Sequence, residues 1–378
     1  MDRRIYLCAF DHIMILEILF FFATGCLLIQ TTYWGLNWIR IINHHPSKSE
    51  SELPVSIIIC AHNELENLKT LLPKLKSQRY PNFEIIVVND RSDDDTYDFL
   101  LEYNDPLVKP THVNQVHDHI TAKKYAITLG VKAAKNDVLL FIDADCEPVS
   151  DNWISAMTGN MTDKTEFGLG VSQYHNGKGL LNYIIRLETL FTAINYIGFA
   201  LMGNPYMGVG RNLVYRKSIF LNNKGFNRYQ GVTGGDDDLL VNQLAKGSKT
   251  IVNLGYESLT VSIPKSTWAD WLLQKTRHIS VSKHYSFKDK VLLGLQNLSH
   301  CLFWISLVCL IIFTTQYVLA AGLFVFRVLF MSFLCHSTSK RFGDRMNVGL
   351  VSVLDILYVF YVGIIGLTAV FTKNVKWK

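Results

Sequence analysis

The stretch from Ile13 to Trp38 carries one charge, Glu17, and restricts the chain more than any other segment. A helix needs roughly 20 apolar residues to cross a bilayer core. This run is long enough, and Tyr33, Trp34, Trp38 and Arg40 sit at its far end as an interfacial belt would. The start, Met1-Asp-Arg-Arg, is basic, but no small-residue cleavage site follows, so the run is read as a retained span. A second apolar region, Leu292 to Leu334, broken by Thr314-Thr-Gln316, predicts a two-span hairpin in which Arg327 faces protein or snorkels. Leu350 to Phe371, with Asp355 near its start, is a further candidate, giving about four spans. The basic loop at Lys340, Arg341 and Arg345 is expected in the cytoplasm. An even count then puts Lys373 to Lys378 on the other side, unless one segment lies in the interface. Leu180 to Leu201, interrupted by Arg186, Glu188 and Asn195, is predicted to lie in the membrane interface. So is Lys265 to Tyr285, with Trp268, Trp271 and Leu272 on one face; for both, the alternative is a soluble amphipathic helix facing the core.

Composition adds exclusions. The 49% hydrophobic content is near a globular average, so the membrane reading rests on where those residues fall. A net charge of +5 with no dense Lys/Arg tract argues against nucleic acid, and suits a phosphate-bearing small substrate or a lipid surface. The seven cysteines, at 8, 26, 60, 146, 301, 309 and 335, include no CxxC pair. They point to a reduced compartment or to no redox role.

After a polar linker from His44 to Leu53, the pattern changes. Val55 to Cys60, Glu84 to Val88 and Val138 to Ile142 read as strands covered on both faces, with a further strand near Val108 to Asn114. Helices are predicted from Asn63-Glu64 onward, with Leu65, Leu68, Leu72 and Leu75 at helical spacing, from Asp94 to Tyr103, and from Ala122 to Ala134. This alternation predicts an α/β fold with a mostly parallel, Rossmann-like sheet, whose ligands sit beyond the carboxyl ends of the strands. Polar residues stand at three such ends: His62-Asn-Glu64, Asn89-Asp90 and Asp143-Ala-Asp145. The expected organisation is a membrane helix over 1–43, a catalytic domain over 54–262, an amphipathic interface segment over 263–290, and a membrane region of about three helices over 291–378.

The acids carry the chemistry. Asp143 and Asp145, where a strand gives way to a loop, can serve one ligand: one binds a divalent cation, the other reaches a ribose or a metal-bound water. An isolated DxD is common by chance, and its position beyond a buried strand gives it weight. Asp90 can accept from the N–H of a pyrimidine ring, while Asp94 or Asp95 caps the following helix. Gly234-Gly-Asp236-Asp-Asp238 crowds three carboxylates at a helix start, which raises one of them toward the range of a general base. Gln274 and Arg277 share a helical face from which Arg can clamp phosphate. No histidine has metal-ligand spacing.

In this order the motifs resemble the family 2 glycosyltransferases, inverting enzymes of the GT-A fold. Val55 to Glu64 resembles the opening strand and Asn-Glu turn. Asn89 to Thr96 resembles the Asp-x-Ser-x-Asp-x-Thr motif, and Ala122 to Ala126 the Gly-Lys-x-x-Ala segment with Lys123 as its lysine. Asp143-Ala-Asp145 matches the DxD, Gly235-Asp-Asp237 resembles the Glu-Asp base motif, and Gln274 to His278 the Gln-x-x-Arg-Trp motif of membrane members. The resemblance covers about residues 54 to 285. It implies a nucleotide-sugar donor, expected to be UDP-linked, and Mg²⁺ or Mn²⁺ at Asp145. Ala61, Asn63, Glu64, Asp90 and Lys123 would hold the nucleotide, and Asp143 the ribose or metal. Asp237 falls in the base position, with Asp236 the alternative. Gln274, Arg277, His278, Gly210 and Arg211 would serve the diphosphate or acceptor.

There are departures. Asp236 stands where the family has Glu, Ala122 where it has Gly, and His278 where processive synthases have Trp. The likeness to cellulose, hyaluronan and poly-N-acetylglucosamine synthases is therefore partial, and about four spans leave little material for a polymer channel. The expectation is transfer of one or a few sugars to a lipid-linked or glycan acceptor. A processive polysaccharide synthase is the alternative, and a scaffold with an inactive transferase domain is the alternative of another class. The expected location is a bacterial inner (plasma) membrane, with the catalytic domain facing the cytoplasm, where nucleotide sugars are made and where the basic 340–345 loop is also expected.

Overall fold

The computed structural model describes residues 3–45, 52–115, 117–314 and 316–371, and the expectation for Lys373 to Lys378 lies outside them. Helix α1 (Arg3–Ile42) leads into strand β1 (Val55–Ala61), helix α2 (Leu65–Lys76), β2 (Phe83–Asn89), α3 (Thr96–Glu102), β3 (Val108–His112), α4 (Ala122–Ala133) and β4 (Val138–Phe141). These strands pair in parallel in the order β3-β2-β1-β4. Every residue of β2 is buried, and all of β1 but Cys60: apolar side chains fill most of both strands, and the buried Ser56 donates to Glu84 across them at 2.6 Å. Leu68, Leu71, Leu72 and Leu75 of α2 are buried, whereas Leu65 is half-buried at the helix start. Helix α4 lies so close to the sheet that a Cβ at Gly130 would stand 2.8 Å from Ile58 Cγ2, so a bare backbone is needed there.

The second half departs from simple alternation. After β5 (Cys146–Pro148), α5 (Trp153–Thr158), β6 (Phe167–Leu169), β7 (Ser172–Tyr174) and α6 (Leu180–Leu201) comes β8 (Leu213–Arg216), which runs antiparallel to both β4 and β6. Then follow α7 (Lys217–Asn222), α8 (Asp238–Leu244), β9 (Thr250–Val252) and β10 (Thr260–Ser262). The main sheet has the order β3-β2-β1-β4-β8-β6-β9, and a smaller sheet, β5-β10-β7, lies beside it. The sheet is thus mostly parallel: β6 and β9 also pair in parallel, and β8 alone among its described strands runs the other way.

Helices α9 (Trp268–Val281), α10 (Phe287–Phe313), α11 (Tyr317–Arg341) and α12 (Val351–Phe371) complete the chain. Among the described residues, four helices are long and apolar enough to cross a membrane: α1 from Met14, α6, α10 and α11. Helix α12 has 21 residues, and its stretch Val351–Gly366 is apolar. Helix α6, expected in the membrane interface, has 78% of its apolar window buried, and it packs on α1, β7 and β9. Its apolar faces are covered by protein rather than left for a bilayer, and Arg186 is matched by a two-pronged contact with Asp344 at 2.8 Å.

Polar groups tie the apolar helices together. Arg327 on α11 faces protein, 1% exposed, and grips Asp355 of α12 through Nε and Nη2, both at 2.9 Å. His300 of α10 meets the same guanidinium at 3.1 Å, and Gln30 of α1 accepts from it at 3.4 Å. At the start of α10, the fully buried Asp289 accepts from Asn242 of α8 at 2.8 Å, from Lys246 at 2.6 Å and from Ser286 at 2.7 Å.

Candidate active site

The ends of β1, β2 and β4 open on one cavity of about 650 Å³, within the range of ligand pockets. From β1 it takes Ala61 and Glu64, from β2 Asp90, from α4 Lys123, and beyond β4 Asp143 and Asp145. Arg211, Asp236, Asp237, Gln274, Arg277 and His278 line it as well.

Asn63 stands apart from that wall. Its φ of 58° is left-handed, and its Oδ1 accepts from the backbone N–H of Asp93 at 2.7 Å and of Asp94 at 3.3 Å. Asn is among the few residues that tolerate this backbone, and here it braces the turn carrying Asp90. Asp94 Oδ1 accepts from the N–H of Thr96, close to the expected capping role. Asp90 accepts from Arg91 Nε at 2.9 Å, and His62 Nδ1 lies 2.7 Å from the Asp90 carbonyl, clasping β1 to β2.

Lys123 Nζ stands 3.0 Å from Asp143 and 3.3 Å from Asp236, joining two acid clusters that the sequence separates widely. The next residue, Lys124, is buried and donates to the carbonyls of Val232 and Gly234, fixing the glycine turn before the second cluster. Gly234 and Gly235 have φ of 83° and 77°, and a Cβ on Gly235 would fall 2.6 Å from Leu239 Cδ1. Only glycine makes this turn without strain.

Asp143, Asp145 and Cys146 place one ligand atom each within 4.8 Å of one another. Burial, then the neighbouring Asp143, pushes the Asp145 carboxyl above its usual range, a penalty that a cation between them relieves. Cys146 is a poor third ligand: burial drives its thiol well up, and its Sγ donates to Asp145 Oδ1 at 3.2 Å. The donor set is thus a pair of carboxylate oxygens, which fits a hard divalent cation completed by phosphate oxygens and water. Arg211, with its guanidinium 4.6 Å from the Tyr174 ring centroid, has a buried Nη1 without a protein partner.

In the second cluster the acids differ by environment. Burial alone would raise Asp236, but Lys123 and then Lys124 outweigh it and hold the carboxyl below its usual range. Withdrawal from water, then the Asp236 charge, raises Asp237 to about 6, although Gly210 N–H donates to its Oδ2 at 2.7 Å. Asp238, buried beside Asp237, is raised to about 8 and accepts from the Tyr285 hydroxyl at 2.8 Å. The sequence reading missed Tyr285, Lys124 and the ion pair of Lys275 with Glu188, whose partners lie far apart in the chain. On α9, Gln274, Arg277 and His278 face the cavity together. Burial, then Lys275 and Arg277, keeps His278 neutral, well below the usual imidazole range.

A mostly parallel sheet with acid pairs beyond its strand ends and apolar helices at its flanks is the GT-A architecture of glycosyltransferases. Residues 56–222 match the family model of "Glycosyl transferase family 2", so the chain carries a domain of that family. It is 28% identical over 250 residues to the probable glycosyltransferase YdaM of Bacillus subtilis, covering 60% of this chain and 54% of that protein. It is 27% identical over 218 residues to 4,4'-diaponeurosporenoate glycosyltransferase of Staphylococcus haemolyticus, covering 57% and 56%. A poly-beta-1,6-N-acetyl-D-glucosamine synthase of Staphylococcus aureus is 27% identical over 173 residues, covering 41% and 40%. The chain thus spans about half the length of the curated relatives it matches. In fold it is similar to the mannosyltransferase PcManGT from Pyrobaculum calidifontis, solved in complex with GDP-Man and Mn²⁺. The TM-score is 0.61 at 14% identity, over 96% of this chain and 99% of that one.

Proposed function

We propose that the protein is a membrane-bound inverting glycosyltransferase that moves one sugar, or a few, from a UDP-sugar to a lipid-linked or other membrane-proximal acceptor. The observation that carries this reading is the single cavity in which Asp90, Asp143 and Asp145 meet Asp236 and Asp237. Ala61, Glu64 and Asp90 hold the nucleoside, Lys123, Arg211, Gln274 and Arg277 bind the diphosphate, and His278 lies on the acceptor side. A divalent cation on Asp145 and Asp143 would neutralise the diphosphate as it departs. Asp237 takes the proton of an acceptor hydroxyl, and that oxygen attacks the anomeric carbon from the face opposite the leaving group. Asp237 suits the role better than Asp236, because it titrates near 6 while Lys123 holds Asp236 low. The catalytic domain is placed in the cytoplasm, where nucleotide sugars are made.

The test is transfer and donor hydrolysis across a panel of UDP-sugars, with GDP-mannose included because PcManGT was solved with GDP-Man. The parent is compared with Asp145→Ala and Asp237→Asn. Sugar transfer that persists undiminished in both variants sinks the site assignment, and long polymer from the purified protein sinks the single-transfer reading.

A further inference from the structure

The cavity does not end at the acids. Beyond the acids, α6, α10 and α12 also line it, through Asn195, Leu293, Gln296, Asn297, Tyr358, Val362 and Gly366. From Tyr358 to Gly366 the wall extends along α12 by about 12 Å, at about 1.5 Å per residue. A soluble glycan does not need the apolar surface that Ala193, Leu293 and Val362 add among the polar groups of this wall. A lipid does, because its chain gains from leaving polar surroundings while its headgroup stays at the acids.

The wall also describes the headgroup. Asn195 lines the cavity, and its Oδ1 is buried without a protein partner. A buried amide oxygen left unpaired is costly, and whichever way the amide is turned, a hydroxyl can satisfy it. The charged residues on this stretch, Glu188 and Lys275, neutralise each other, and Tyr361 donates to the same glutamate at 3.4 Å. Lys123 and Arg211 belong to the donor end, where they stand by Asp143 and Asp145, and Lys265 lies near Glu64. Arg277 is assigned above to the diphosphate, so among the described residues an anionic headgroup would meet Asp236, Asp237 and Asp238 with no uncommitted cation on this stretch to offset them.

Resting on the transferase reading above, we infer that the acceptor is a membrane lipid with an uncharged hydroxyl headgroup, held with its chain between α6, α10 and α12. Its hydroxyl lies between Asn195 and Asp237, and its apolar chain runs past Tyr358 and Val362 toward Gly366.

The test uses the full chain in phosphatidylcholine nanodiscs with labelled UDP-sugar. The discs contain diacylglycerol, glucosyl-diacylglycerol, polyprenyl phosphate or no addition, and a soluble oligosaccharide is tried separately. Label is expected in the neutral lipids. Val362→Trp and Gly366→Trp, which fill the apolar limb, should lower the ratio of lipid transfer to donor hydrolysis roughly tenfold. Asn195→Leu should lower it as well, and Val362→Leu should restore it, separating blockage from misfolding. Preferred transfer to polyprenyl phosphate or to the soluble oligosaccharide, or a ratio that the Trp variants leave unmoved, overturns the inference while the transferase reading stands. Absence of donor hydrolysis and transfer in every arm overturns both.

Discussion

The Tyr285 hydroxyl donates to Asp238 Oδ2 at 2.8 Å, so a residue just ahead of α10 fixes the acid beside the proposed base. Tyr285→Phe removes the donor from a buried carboxyl that burial and Asp237 already raise. The expected loss is about 1–3 kcal/mol of stability, read as a lower Tm in detergent. A lower kcat with donor KM unchanged should accompany it, because Tyr285 positions the acid cluster and holds no part of the nucleotide.

A base must be ionised to act. Asp237 titrates at about 6, so kcat/KM should fall as pH drops through that value, by about tenfold per unit on the acid limb. The limb should vanish in Asp237→Asn together with transfer itself.

Lys123 favours the charged forms of both Asp236 and Asp237. In Lys123→Met, loss of the cation raises the pKa of Asp237, so the acid limb moves to higher pH. Donor KM should also rise roughly tenfold, the worth of one charged contact. A pH–rate profile at saturating and at limiting donor separates the effects.

Chelation should abolish transfer, and Mn²⁺ or Mg²⁺ should restore it. Asp145→Ala should raise the half-saturating Mn²⁺ concentration by about tenfold or more, since it removes one of the carboxylates at the cation position. Direct Mn²⁺ binding followed by electron paramagnetic resonance checks this without relying on turnover.

Arg327→Met leaves Asp355 as an unpaired charge among apolar helices. The expected cost is about 3–5 kcal/mol, and Arg327→Met combined with Asp355→Leu should recover most of it. Thermal unfolding of the variants in one detergent distinguishes the cases.

The strands near Val55, Glu84 and Val138 were legible because each is a run of apolar residues bounded by polar ones, and those polar ends meet in the cavity. The antiparallel β8 was not. Its neighbour Phe167–Leu169, and Thr250–Val252 beyond that, are too short to show periodicity, and pairing is decided by the sheet rather than by the residues themselves. Helix α6 misled because Arg186 and Glu188 imitate a polar face, yet their partners are Asp344 and Lys275, invisible at that separation in sequence. Asn63 was placed on the nucleotide for its position in a motif, whereas its left-handed backbone turns its side chain to the neighbouring loop.

Asp289 gives the molecule an indivisibility that matters to anyone cutting it. Asn242 and Lys246, at the helix that starts with Asp238, both end on this carboxylate at the head of α10. A fragment trimmed before α10 to obtain a water-soluble enzyme would lose that anchor, stranding a buried amide and an ammonium directly behind the acid cluster. The catalytic half is therefore not a detachable module, and a soluble version would need a new carboxylate in the same place.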